Sequence, residues 1–217
     1  MESLFYDAKL FNQPLNFTST ENVIEMPDMF YGASSFNQTL NFNTKNVTNM
    51  FGMFGKAESF NQPLNWDTLN VNNMADMFSG ASSFNQPLNF NTRNVIVMDN
   101  MFYNATSFNQ PLNWDTLNVE SMNDMFKKAR SFDQDLSKWC VPKIKSIHYR
   151  FAYESKMSDK NLPLFGKEWT CNFRYRLKNY RNYQSDDPII IQIPNFNNHT
   201  DAKAFYRMFL RTIYEDY

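Results

Sequence analysis

The sequence predicts an α/β repeat solenoid of 24-residue coils with a parallel sheet, followed by a small C-terminal β-β-α cap. Three observations carry this. First, the phrase Phe-Asn-Gln-Pro-Leu-Asn-aromatic begins at Phe11, Phe36 (with Thr39 in place of proline), Phe60, Phe84 and Phe108, with a degenerate copy at Phe132. After one step of 25 residues the spacing is a constant 24. Second, apolar residues recur at fixed places in each copy. Such coils cannot fold alone and bury their cores against their neighbours. Third, the pattern fades near Phe165, and residues 166–217 do not repeat. The expected domains are therefore 1–165 and 166–217.

The coil from Phe60 to Ser83 shows the elements in order. Leu64 and Trp66 alternate around Asn65, so they share one face of a short strand. Pro63 has no N–H to give a sheet, so the strand starts at or after it. Stacked copies place Asn41, Asn65, Asn89 and Asn113 in register, about 4.8 Å apart. Asp67 and Thr68 open a turn. Asn70 is suited to capping a helix. Val71, Met74 and Phe78 fall at i, i+3 and i+7, which predicts a helical stripe ended by Gly80. Ala81 is small enough for a tight return.

Each position recurs as a column: Val23, Val47, Val71, Val95, Val119; Met26, Met50, Met74, Met98, Met122; Phe30, Phe54, Phe78, Phe102, Phe126. Leu15, Leu40, Leu64, Leu88, Leu112 and Leu136 form the inward column of the strands. Asparagine and glutamine also form columns, beginning at Asn12 and Gln13. Amides both donate and accept, so they either satisfy backbone at each corner, the reading preferred here, or make a polar recognition strip. Alternate coils match best: those at Phe36 and Phe84 carry NFNT, and those at Phe60 and Phe108 carry NWDT. A degenerate coil continues through Ile144, Ile147 and Phe151, with Met157 in the place of the recurrent Phe, to a last strand near Leu162–Leu164.

Beyond the array, Phe173, Tyr175 and Leu177 alternate with Arg174, Arg176 and Lys178, a strand signature with one cationic face. Ile189–Ile193 reads as a second strand. Thr200 is placed to cap a helix whose stripe includes Phe205, Met208, Phe209 and Ile213. Together they predict the cap. The cationic strand face is also a candidate phosphate-binding surface for nucleic acid, a disfavoured alternative because no nucleic-acid motif accompanies it.

The net charge is −1, but it is unevenly spread: residues 1–142 hold 8 basic and 14 acidic residues, and residues 143–181 hold 10 basic and 3 acidic. A polarised chain of this kind orients a charged partner or its own copies. Cys140 and Cys171 do not make a disulfide framework. His148 and His199 sit in no metal-ligand pattern, the five glycines form no phosphate loop, and no cofactor motif is present. Asp67 and Asp115 lie two coils apart, roughly 10 Å, which is wide for a shared-proton pair. The chain is therefore expected to be non-catalytic, with no metal or cofactor. No apolar run approaches the roughly 20 residues of a membrane span, and MESLFYDAKLFNQ is no secretory signal.

The run Asn46-Val-x-x-Met-x-x-Met-Phe54, followed by Ala57-x-x-Phe60-Asn-Gln, resembles the BspA-like class of leucine-rich repeats over residues 4 to about 165. The resemblance implies a right-handed solenoid with the parallel sheet on one side and short helical segments on the other. Members are known as surface proteins of bacteria and protists, often adhesive, and also occur in large DNA viruses. With neither a secretory signal nor a membrane span read in the sequence, the chain is expected inside a cell, or, since Asn- and Phe-rich usage suits an AT-rich viral genome, within a virus particle. The expected function is a protein-interaction or assembly module. Its candidate binding residues are Asn41, Asn65, Asn89 and Asn113 on the exposed sheet face, flanked by Asp67 and Asp115. A structural role in a larger particle is the first alternative. Phe5, Ala8 and Phe11 match only the second half of a coil, so Phe5 and Phe11 are candidate contacts for a homodimer or an end-to-end partner.

Overall fold

Backbone N–H and C=O groups must find partners, and in this chain many find them one coil away. The computed structural model describes residues 1–17, 19–144 and 150–165. The chain divides into two units, Met1–Gly166 and Lys167–Tyr217, and all described residues belong to the first. The expected cap, with Arg174, Arg176 and Lys178, lies outside the described residues.

The N–H of Met50 donates to the carbonyl of Asn73, Gly52 to Ala75, Phe54 to Met77 and Lys56 to Ser79, at 2.7–3.0 Å. The same alternate-residue register joins 26–32 to 49–55, 74–80 to 97–103 and 98–104 to 121–127. Parallel bridges run through Glu25, Asn49, Asn73, Val97 and Ser121. Within each coil the intervening groups close tight turns, as in Gly55 N–H to Gly52 and Ala57 N–H to Phe54.

Here the structure departs from the predicted helix. Residues 75–80 are turns, and the sole helix among the described residues is a 3-10 turn at Asp159–Asn161. Two positions per coil have positive φ: Asp28, Gly52, Asp76, Asn100 and Asp124, then Gly32, Lys56, Gly80, Asn104 and Lys128. A right-handed helix cannot contain them. Met77 and Ala75 are buried beside Met74 and Phe78, so burial is not confined to one helical stripe. Asn70 caps nothing; its Nδ2 donates to the Lys45 carbonyl of the preceding coil at 2.8 Å.

The Leu-Asn-aromatic units also differ from expectation. Around Leu64 they are extended, with inward Leu64, Trp66 and Thr68 alternating with outward Pro63, Asn65 and Asp67. Yet among the described residues they form no strand or bridge; the parallel pairing lies on the Asn73 column instead. The reason is that side chains stand between the backbones. Thr68 Oγ1 accepts the Asn91 N–H at 2.8 Å and donates to the Asn91 carbonyl at 3.1 Å. Thr20 clasps Asn43 in the same way. At the alternate junctions, Thr44 Oγ1 donates to the Asp67 carbonyl and the Trp66 indole N–H points to the Leu40 carbonyl. Trp114 repeats this on Leu88, and Trp139, in the very next coil and outside the alternation, on Leu112. The Phe/Trp alternation thus marks two kinds of junction.

Between the two sides lies the core. Phe30, Phe54, Phe78, Phe102 and Phe126 stack at 5.4–5.7 Å between centroids, with planes within 8°. Phe36, Phe60, Phe84, Phe108 and Phe132 form a second column at 5.8–6.0 Å. These separations correspond to offset stacking, which ring quadrupoles favour over a sandwich. The degenerate coil contributes buried Ile144 and Phe151, the latter edge-on to Phe126 and Phe165. Its end is tied by a short parallel pair, β1 (Cys140–Val141) with β2 (Leu164–Phe165). Cys140 is half-buried in β1, and Cys171 lies outside the described residues.

Candidate interaction face

Three asparagine columns run along the stack, and they have different work. In the first, Asn37, Asn61, Asn85 and Asn109 each accept, through Oδ1, a backbone N–H of the next coil at 2.9–3.0 Å. The neighbouring glutamines donate to the same oxygens. In the second, Asn46, Asn70, Asn94 and Asn118 donate to carbonyls of the preceding coil at 2.8 Å. Both columns satisfy backbone, as the structural reading of the amides holds.

The third column is Asn41, Asn65, Asn89 and Asn113. All four are exposed, and among the described residues their side chains make no hydrogen bond. Asp67 and Asp115 are exposed two positions further on. One oxygen of each accepts the N–H two residues ahead, at 3.0 and 3.1 Å, which fixes the carboxylate and leaves its second oxygen facing outward. Asn43 and Asn91 make the same turn in the alternate coils. The face therefore offers a row of amides beside two regularly spaced negative charges. At its first coils it borders a groove of about 540 Å³ that Asn41, Asn43, Leu15 and Phe17 help to line.

Phe5 and Phe11 lie elsewhere, at the end of the stack. Both are half-buried, stacked on each other at 4.3 Å and on Phe30 and Phe36 at 5.2 and 5.8 Å. They do not meet the asparagine face in one site.

The sequence reading overlooked the turn side. Burial, with Asp76 and Glu2 nearby, raises the Asp28 carboxyl above the usual range. Burial likewise raises Asp76, although Asn100 and Ser79 hydrogen bonds pull it back. At Asp124 the balance is reversed: the Arg150 guanidinium, with Lys127, holds the carboxyl below its ordinary value. Lys56 stands over the Tyr31 ring and Lys127 over Tyr103. The signal was available: the column Asp28, Gly52, Asp76, Asn100, Asp124 holds only residues that tolerate positive φ.

Stacked, near-identical coils with a polar column left over make this a repeat protein. The chain belongs to the family described as "Mycoplasma protein of unknown function, DUF285", whose model matches residues 1–87 and 64–169. No curated protein and no solved structure matches it. Among the described residues no helix is long and apolar enough to cross a membrane.

Proposed function

We propose that this chain is a non-catalytic protein-interaction or assembly module: a right-handed leucine-rich-repeat-type solenoid of the BspA-like class, presenting Asn41, Asn65, Asn89 and Asn113 with Asp67 and Asp115. One observation carries the reading. The coil uses two of its three asparagine columns internally and leaves this one exposed without a hydrogen bond. An amide both donates and accepts, so the column pairs with peptide groups or polar side chains. The two carboxylates select against acidic partners and favour cationic ones. Such sites are argued from their chemistry and not from the fold alone.

The test is recovery of a binding protein from native lysate, with nuclease treatment to remove nucleic-acid bridging. A protein retained by the wild type and lost by the Asn65→Ala, Asn89→Ala double variant, at unchanged folding stability, supports the reading. Retention by both sinks it. A second reading, assembly through the end that carries Phe5 and Phe11, is favoured by the apolar exposure there.

A further inference from the structure

The two kinds of coil end their extended segments in different corners. The coils at Phe36 and Phe84 run into Asn43-Thr44-Lys45 and Asn91-Thr92-Arg93. Those at Phe60 and Phe108 run into Asp67-Thr68-Leu69 and Asp115-Thr116-Leu117. Each threonine is buried; the residues on either side of it are exposed, apart from half-buried Leu117. Consecutive coils are bridged in parallel, about 4.8 Å apart, so charge alternates up the corner at that step: Lys45, Asp67, Arg93, Asp115. Among the described residues none of the four joins an ion pair.

A strip that reads plus, minus, plus, minus is its own complement when reversed. Two closed two-fold arrangements can bring this corner against itself. With the axis along the stack, every coil meets its own copy, which puts like charge on like charge and the leucines on the carboxylates. With the axis across the stack, passing between the coils of Asp67 and Arg93, the order of coils is reversed. Lys45 then meets the coil of Asp115, and Asp67 meets the coil of Arg93. The neighbouring columns match in the same register. Leu69 faces the alkyl stem of Arg93, and Leu117 that of Lys45, contacts that long cationic side chains make while keeping their heads in water. The free carboxylate oxygens of Asp67 and Asp115 face the amides of Asn91 and Asn43, whose own oxygens are held by Arg93 and Lys45 N–H groups. Asn65 faces Asn89, amide to amide. Glu21, one coil earlier, faces the degenerate coil, where Lys138 is exposed.

We propose that this corner binds a second copy of the chain side by side and antiparallel, with Asp67 paired to Arg93 and Lys45 to Asp115 across a two-fold axis. The inference rests on the reading of this face as an interaction surface and names its partner. The strip is narrow and its pairs are rim-like, so the dimer is weak, concentration-dependent and sensitive to salt.

Sedimentation equilibrium of the full chain over a range of concentrations tests it. The expected result is a monomer–dimer equilibrium at low ionic strength that is lost at about 1 M salt, where the Debye length is about 3 Å. The Arg93 side chain makes no hydrogen bond or ion pair among the described residues, so Arg93→Glu spares the coil. It places like charges together twice in the dimer and should weaken it at least about tenfold. Adding Asp67→Lys should restore it, because both symmetry-related pairs are then reversed. Should the lysine disturb the turn that Asp67 makes with the Leu69 N–H, Asp67→Asn keeps that turn, as Asn43 and Asn91 do, and should recover part of the loss. A dimer indifferent to salt and to Arg93→Glu, or one that neither second substitution rescues, overturns the proposal. A strictly monomeric wild type that still retains a lysate protein through Asn65 and Asn89 overturns it too, and leaves the reading of the face as an interaction surface standing.

Discussion

The two long sides of the stack solve one problem differently. On the turn side, backbone meets backbone, and four N–H groups per coil reach the next coil directly. On the extended side, the junctions are made by threonine hydroxyls, indole N–H groups and asparagine oxygens. A backbone ladder is indifferent to side-chain identity but demands particular φ values. A side-chain junction leaves φ ordinary but demands particular residues. This accounts for the pattern of repetition: Thr44, Thr68, Thr92 and Thr116 are invariant along the chain, whereas the column of Asp28, Gly52, Asp76 and Asn100 shares only tolerance of positive φ.

Removing what the two sides share should have the largest effect. Phe78 is fully buried and stacks on Phe54, Phe84 and Phe102. Phe78→Ala is expected to cost about 3–5 kcal/mol, through lost transfer energy and the cavity left. Urea unfolding measures it, and hydrogen exchange should show adjacent coils loosening as well, since each depends on its neighbours. A cost of a few tenths would mean the column is not core.

Next comes a substitution aimed at the extended side. Thr68 is 1% exposed and holds both backbone polar groups of Asn91. Thr68→Val keeps the shape and strands those groups, for an expected loss of about 1–3 kcal/mol. Were it neutral, direct backbone pairing would have to replace the hydroxyl, and the contrast between the sides would fail.

Gly52→Ala addresses the turn side. Gly52 has φ +58°, and an added Cβ would lie 2.0 Å from an Asp28 carboxylate oxygen. A loss of about 1–2 kcal/mol is expected from the left-handed conformation, with Asp28 swinging aside. The midpoint of urea unfolding should fall accordingly; an unchanged midpoint would show that the ladder does not require this conformation.

The turn side also has the pH response. Asp124, held low by Arg150, contributes stability above its unfolded pKa and loses it as pH falls through the folded value. Asp28 and Asp76, raised by burial, act oppositely: their ionisation weakens the fold as pH rises through the carboxylate range. Asp124→Asn should therefore flatten the acid side of the stability profile, and Asp76→Asn should stabilise the protein at neutral pH. Denaturant midpoints from pH 3 to 7 decide it, and identical profiles would contradict both assignments. The smallest effect belongs to the exposed face: Asn65→Ala should change stability by no more than about 0.5 kcal/mol. A larger loss would mean that this column supports the coil, as the other two do.

Some of this was open to reading from residue spacing. The Val, Met, Phe, Ala and Leu columns identified from the period are buried from Val47 onward, because only a shared core explains apolar identity at a constant interval. The exposed asparagines could be placed for the same reason: Asn65 lies between two inward residues. Other features were hidden. The missed Met29, Met53, Met77, Met101 and Met125 column is fully buried, yet it falls off the helical stripe that the spacing suggested.

What the sequence determined by itself is therefore the coil length, its core columns and the amides left facing water. Each follows from counting residues along one chain. Where the backbone hydrogen bonds go was decided only in the tertiary structure. Val71, Met74 and Phe78 satisfy the period of an α-helix, but a helix would keep its N–H groups within the coil. Two left-handed residues per coil turn alternate N–H groups toward the next coil instead, and their partners lie 23 residues away, as Gly52 reaches Ala75. Threonine, tryptophan and asparagine side chains made the same decision on the other side, as where Thr68 holds Asn91 across coils. Bonds between coils exist only once the coils have stacked, so no local stretch of sequence records them.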